Sequence, residues 1–192
     1  LKGNYWKWRM HGGAITLAKQ FLEKEKQYDL ILATDMMDVA LFKSLISAKH
    51  NDTSIALYFH ENQLCYPWSE TDRDVQKNRD SHYAFINFSS ALVADKIFFN
   101  SQFHKDAFLG ALPNFLKGFP DYNEIDSIEK IEEKAEVLYL GMDLQKFDKY
   151  KTEQNKKPLI LWNHRWEYDK NPTDFFKALY KMQEKNLDFE VV

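Results

Sequence analysis

Pro158-Leu-Ile-Leu-Trp-Asn-His-Arg-Trp-Glu-Tyr-Asp-Lys-Asn-Pro172 reads as a short apolar strand, Leu159 to Trp162, then a polar loop, then the start of a helix. Asn171 suits an N-cap, Pro172 the first helical position, and Asp174 sets a carboxylate in the positive first turn. The loop carries Arg165 and Lys170. A strand feeding a helix through a cationic loop can hold a phosphorylated ligand beyond the strand's carboxyl end. Arginine grips phosphate oxygens as a fork and lysine adds a mobile point charge. The same pattern also fits a solvated loop with two surface cations.

Upstream, Ser54-Ile-Ala-Leu-Tyr-Phe-His-Glu-Asn-Gln-Leu64 holds a nearly continuous apolar strand, Ile55 to Phe59, of the kind buried in a parallel sheet. It delivers His60, Glu61 and Asn62 at its carboxyl end, where packing does not call for three polar side chains. They read either as a functional cluster or as a structural cap. A zinc-protease H-E-x-x-H is excluded because position 64 is Leu, and the remaining histidines show no ligand spacing, so no metal site is expected.

The rest of the chain alternates in the same way. Tyr5 to Gly13 interleaves aromatics with Lys7, Arg9 and His11, and Lys7, Trp8 and Arg9 could stack bases or sugars while holding phosphates, or simply pack. A helix is expected from Ala14 to about Lys26, a strand at Asp29–Ala33, and a helix from Met36 to Ser47. Tyr66 to Arg79 reads as a charged loop from which Arg73 could reach a phosphate, although such a run is commonly just solvated. A helix follows over His82–Ala94 with Phe85, Phe88, Ala91 and Leu92 inward. A strand over Asp95–Ser101 then ends in Asn100 and Ser101, with Ser101 placed to cap the next helix. Leu112–Phe119 reads as a short apolar element between Pro113 and Pro120, Ile125–Lys134 as an acidic helix, and Glu136–Asp143 as a strand. Residues 149–157 are polar enough for a linker, dividing a first domain, 1–148, from the start of a second, 158–192. The order β-α-β-α-β-α-β, then β-α-β, predicts parallel sheets with helices on both faces.

Composition narrows the function classes. With 192 residues and a net charge of −3, the chain has no overall basic field to bind nucleic acid by charge alone, though a local patch is compatible. Its one cysteine, Cys65, excludes an internal disulfide framework and fits a reducing, cytoplasmic compartment. No apolar run reaches membrane-spanning length. Both ends read as cut: no strand precedes the first helix, and the chain closes within the apolar run Phe189-Glu-Val-Val192, as a piece of a longer protein would.

Tyr58-Phe-His-Glu-Asn-Gln-Leu64, Ala94-Asp95 with Phe99-Asn-Ser101, and Trp162-Asn-His-Arg-Trp-Glu-Tyr-Asp-Lys-Asn-Pro172 together resemble the glycosyltransferase-like family that includes the tRNA-queuosine alpha-mannosyltransferases. Lys7-Trp-Arg-Met10 and Phe115-Leu-Lys117 resemble it too. The resemblance covers essentially the whole chain and implies a retaining GT-B fold, an α/β architecture of two Rossmann-like domains with the active site in the cleft between them. It implies that Arg165 and Lys170 neutralise the donor diphosphate, that His60 contacts the transferred sugar or acceptor, and that Glu61 joins it in the catalytic group. Asn62, Arg73, Asn100 and Ser101, with Lys7, Trp8 and Arg9, would support the acceptor side. The implied substrates are a nucleotide sugar, GDP-mannose by resemblance, and queuosine in tRNA, with no cofactor, no metal and no protein partner. The glycine-rich turn of the first strand and the carboxylate-bearing donor motif would lie outside the chain, so it would be inactive alone. The same fold acting on a lipid or polysaccharide, or serving as a non-catalytic nucleotide- or RNA-binding module, remains open.

Overall fold

The computed structural model describes residues 5–69, 72–76, 82–151, 153 and 155–192, the side chain of Arg73 excepted. Contacts divide the chain into two compact units, Leu1–Tyr66 with Arg79–Leu140, and Pro67–Asn78 with Gly141–Val192. The expected linker, 149–157, falls inside the second unit.

The first unit runs α1 (Trp6–Leu22), β1 (Leu30–Thr34), α2 (Val39–His50), β2 (Ser54–Phe59), then, after the short α3 (Arg73–Gln76) of the second unit, α4 (His82–Val93), β3 (Lys96–Phe99), α5 (Gln102–Lys117), α6 (Ser127–Glu133) and β4 (Ala135–Val137). The four strands pair in chain order and all in parallel, with Leu32 opposite Ala56, Leu57 opposite Ile97 and Phe99 opposite Val137. Right-handed crossovers that step in one direction put their helices on one face of the sheet. The core lies there. Ala33, Ile55, Leu57, Phe59, Ile97 and Phe99 pack against Ala14 and Ala18 of α1, Phe42 and Ile46 of α2, Phe88 and Ala91 of α4, and Phe108, Leu112 and Leu116 of α5. On the other face Leu30 and Leu32 are 58% and 64% exposed. Helices on both faces were expected. The helices that build this core pack on the face of Ala33, Ile55 and Leu57, and on the other face Ala56 and Tyr58 of the inner strand β2 are buried while the edge strand is open.

Local sequence explains most boundaries. Asp38 caps α2, its Oδ1 accepting the Leu41 N–H at 2.9 Å, which starts that helix later than the apolar spacing alone implies. Ser101 caps α5 as expected, its Oγ accepting from His104 N at 3.2 Å. Asp95 joins the starts of β2 and β3: Oδ2 accepts from Ile55 N at 2.8 Å and its own N–H donates to Ile55 O at 2.8 Å. Asp95 is therefore a structural pin.

Three expectations shift. The first helix opens at Trp6, with Gly12 and Gly13 inside it. Met10, Ala14 and Ala18, all buried, recur every four residues and supply an inward stripe that overrides glycine's poor helix propensity. Gly12 also has a packing role, since a Cβ there would lie 2.8 Å from Cε2 and Cζ2 of Trp8. Second, no break occurs at Pro113. Phe108, Leu112 and Leu116 form one buried stripe that carries α5 through the proline to Lys117. Third, the last strand of the sheet is only Ala135–Val137, although Leu138 N still donates to Phe99 O at 2.9 Å.

The second unit adds a 3-10 helix (Leu144–Tyr150), β5 (Leu159–Ile160), a second 3-10 turn (Tyr168–Lys170), α7 (Pro172–Glu184) and β6 (Glu190–Val191), which pairs with β5 in parallel. Trp162, Phe175 and Phe176 pack together between strand and helix, with Trp162 and Phe175 ring centroids 4.4 Å apart. Tyr168 Oη donates to Pro67 O at 2.8 Å, which ties the 67–78 segment into this unit. Among the described residues no helix is long and apolar enough to cross a membrane.

The burial pattern sets an expected contrast. Leu112→Ala, at a fully buried position, should lower the unfolding free energy by about 2–5 kcal/mol, whereas Leu32→Thr on the open sheet face should change it by about 0.5 kcal/mol or less. Urea titrations of both variants check this, and similar losses in the two would refute the one-faced core.

Candidate active site

The carboxyl ends of β1, β2 and β3 gather the polar residues of the first unit. Packing fixes where those strands stop. The Phe59 and Phe99 rings stack at 4.9 Å and 5° between planes, with Phe108 4.9 Å from Phe59, so the residues that follow, His60 and Asn100, emerge side by side. Asn100 Nδ2 donates to His60 O at 2.8 Å.

That bond orients the Asn100 amide and with it the rest of the network. Asn100 Oδ1 is the acceptor facing His104 Nδ1 at 3.0 Å, so Nδ1 carries the proton. His104 Nε2 then accepts from Asn62 Nδ2 at 2.7 Å. Asn62 Oδ1 in turn accepts from Leu64 N at 3.1 Å and Cys65 N at 2.8 Å. A neutral His104 thus welds the loop after β2 to the first turn of α5. Burial lowers the His104 pKa, and the charge of His60 lowers it further, which agrees with the neutral form.

His60 itself is half exposed, while the carboxylate that holds it is not: Asp35, the first residue after β1, is 1% exposed. Asp35 Oδ1 accepts from His60 N at 2.9 Å and lies 3.2 Å from His60 Nδ1. Asp35 Oδ2 is buried with no hydrogen-bond partner among the described residues. Burial pushes the Asp35 carboxyl up from its ordinary value, and the hydrogen bonds from His60 work against that. Asn87 of α4 closes the arrangement, donating to Asp35 O at 2.9 Å and accepting from Gln63 N at 2.7 Å. Glu61 accepts from Gln63 Nε2 at 3.2 Å.

Of the residues singled out in the sequence, the structure brings His60, Glu61, Asn62, Asn100 and Ser101 into this one cluster. Lys7, Trp8 and Arg9 lie in the first turns of α1. Lys7 Nζ sits 5.6 Å from the Trp6 ring centroid and 5.9 Å from that of Tyr83, and Trp8 is 64% exposed. Next to them His11 and His82 stack at 4.3 Å, and burial followed by His82 lowers the His11 pKa. The Arg73 side chain, with Lys77 and Arg79, lies outside the described residues.

In the second unit Arg165 Nη1 pairs with Glu167 Oε1 at 3.2 Å, and Lys170 Nζ with Asp169 Oδ2 at 2.8 Å. An incoming anion has to compete with carboxylates of the same loop. An exposed pair such as Arg165–Glu167 contributes about 0–1 kcal/mol, so exchange there costs little. Asn171, at φ 49°, caps α7 by accepting from Asp174 N at 3.4 Å, so part of the helix N-terminus is already satisfied. Among the described residues no three His, Cys, Asp or Glu side chains gather to hold a metal ion.

Residues 1–142 match the family described as tRNA-queuosine alpha-mannosyltransferase N-terminal. The chain belongs to that family. A curated relative from Drosophila melanogaster, the tRNA-queuosine alpha-mannosyltransferase, is 33% identical over 202 residues, an alignment covering 100% of this chain and 51% of the relative. The chain therefore spans about half the length of that relative. Sequence reading missed three members of the cluster. Asp35 is the first polar residue past a strand end. His104 is three residues after a cap. Asn87 is a polar residue set in the inward stripe of α4. Each carried a positional signal, but none is informative until the three strand ends are known to be neighbours.

The neutral His104 predicts a pH dependence. The unfolded chain protonates this ring near its ordinary value of 6.5, while the native ring resists protonation to lower pH, so in that window the unfolded state holds more protons. The stability contributed by the neutral ring is complete above that window and declines as pH falls through it. Urea midpoints measured across the window should drop with acidification in the wild type and drop less in His104→Gln. Equal slopes would contradict the neutral assignment.

Proposed function

We propose that the protein to which this chain belongs is a retaining GT-B glycosyltransferase that moves mannose from GDP-mannose onto queuosine in tRNA. The family membership and the name of the Drosophila relative support the sugar and the acceptor. The observation that carries the residue assignment is the half-exposed imidazole of His60, fixed by a buried carboxylate at the carboxyl end of a parallel strand. A tRNA acceptor fits the cytoplasmic location expected from the sequence.

In this reading each unit has its own task. The bond between the anomeric carbon and the diphosphate oxygen breaks with its electron pair on the oxygen, and Arg165 and Lys170 stabilise the charge that develops there. The acceptor hydroxyl attacks the anomeric carbon from the face the diphosphate leaves, and its proton passes to the departing diphosphate oxygen. His60 contacts the transferred sugar or that hydroxyl through Nε2, the ring nitrogen not facing Asp35. Asn62, Asn100 and Ser101 hold the His60 loop in place, and Glu61, next in the chain and bonded to Gln63, is the carboxylate proposed to join His60. Lys7, Trp8 and Arg9, with Arg73, are the residues proposed to meet the RNA on the acceptor side.

The test uses the full-length protein with GDP-mannose and queuosine-containing tRNA, followed by mass analysis of the nucleosides. A hexose added to queuosine is the expected product, and its absence from a folded, GDP-binding protein would move the acceptor elsewhere. In the same assay Arg165→Ala should abolish transfer while tRNA binding persists. His60→Ala should lower turnover by about 10²-fold or more with donor affinity little changed. Unchanged turnover would return His60 to a structural role.

A further inference from the structure

We propose that Asp35 is a positioning residue that sets the working tautomer of His60. This rests on the reading of His60 as the group that meets the sugar or acceptor. A main-chain N–H is always a donor, so Asp35 Oδ1, 2.9 Å from His60 N, is fixed as an acceptor. The ring nitrogen 3.2 Å from the same oxygen must then carry a proton. In the neutral ring this leaves Nε2 with its lone pair, an acceptor for a hydrogen bond from a ligand hydroxyl.

The bond from His60 N ties the ends of β1 and β2 together, but an uncharged acceptor would serve that purpose as well, so folding alone does not call for the charge. Asp35 is almost completely buried, Oδ2 has no hydrogen-bond partner among the described residues, and an ionised group in such a setting is costly unless its charge is used. What uses the charge is the ring. A charged acceptor holds an N–H about twice as strongly as a neutral one, which biases the imidazole toward the Nδ1–H form. The arrangement is also braced. Asn87 ties the main chain of Asp35 to the segment after His60 through Asp35 O at 2.9 Å and Gln63 N at 2.7 Å. The other groups facing the ring are Tyr58, whose ring centroid is 4.8 Å away, and His104 on α5, which feels the charge of His60. Neither offers it a second carboxylate.

The experiment compares the full-length wild type with Asp35→Asn and Asp35→Ala. ¹⁵N-histidine NMR reads the His60 tautomer, assigned through His60→Gln, and kinetics with queuosine tRNA and GDP-mannose read kcat and KM separately. The wild type should show the Nδ1–H form. Asp35→Asn keeps the shape but removes the charge. Its amide oxygen can still accept from His60 N and Nδ1, so the tautomer should shift only in part, and kcat should fall by about tenfold, a share of the 10²–10⁴ that a positioned acid–base group contributes, while donor KM moves by no more than about twofold. Asp35→Ala removes the acceptor and should populate the Nε2–H form, and where its fold fails the near-isosteric Asp35→Leu takes its place. An unchanged tautomer once the acceptor is removed would overturn the proposal, as would a fall in activity that appears only in KM. A wild type that transfers no sugar would remove the functional reading, yet the tautomer measurement would still decide the role of Asp35.

Discussion

The parallel register that sets Phe59 beside Phe99 is the constraint on which the site depends. Side chains alternate along a strand, so a slip of one residue would turn Phe59 out of the core and His60 into it. Two stacked phenylalanines with Phe108 against them make that slip costly. The same register puts His60 and Asn100 at adjacent strand ends, with Asp35 one strand further along. Apolar packing thus determines where three polar side chains meet, and the hydrogen bonds among them refine a placement already made.

The polar layer above that packing has little freedom. The amide of Asn100 is oriented by His60 O, the proton of His104 by Asn100, and the amide of Asn62 by His104. A chain of this kind has one consistent assignment of donors and acceptors, and reversing any member leaves two donors or two acceptors facing each other. A protonated His104 would do that, by pointing an N–H at the Asn62 amide. The site therefore couples the proton state of a buried ring to the geometry of the loop that carries His60.

The element order and parallel strands were legible because β2 and β3 are strongly apolar and bounded by good caps. His60, Glu61 and Asn62 were legible as residues that packing does not explain. What the sequence hid depends on tertiary context. The interior glycines and Pro113 argued locally against helix, and buried stripes through Met10, Ala14 and Ala18, and through Phe108, Leu112 and Leu116, overrode them. Asp35 and Asn87 were hidden for the opposite reason. Each is an ordinary polar residue in its own neighbourhood and becomes informative only through a partner 25 or 52 positions away. The resemblance supplied roles for residues within its motifs, but it was silent on Asp35, which lies outside them, and on the structural use of Asp95, which lies within one.

The two units treat their charged groups differently, and the difference fits their proposed tasks. In the first, the carboxylate is buried and its partner ring is fixed, so the reorganisation needed to place His60 is completed on folding. In the second, Arg165 and Lys170 sit on an exposed loop and pair with Glu167 and Asp169 of that loop. The exposed Arg165–Glu167 pair is weak enough to exchange for a multiply charged anion, whereas the Asp169 side chain is 6% exposed and an anion drawing Lys170 away has to offset the loss to a buried carboxylate. In the proposed reading a diphosphate, with more charge and more oxygens than Glu167, is the better competitor for Arg165. A fixed ring in one unit and an exchangeable arginine in the other accord with the roles proposed for His60 and Arg165.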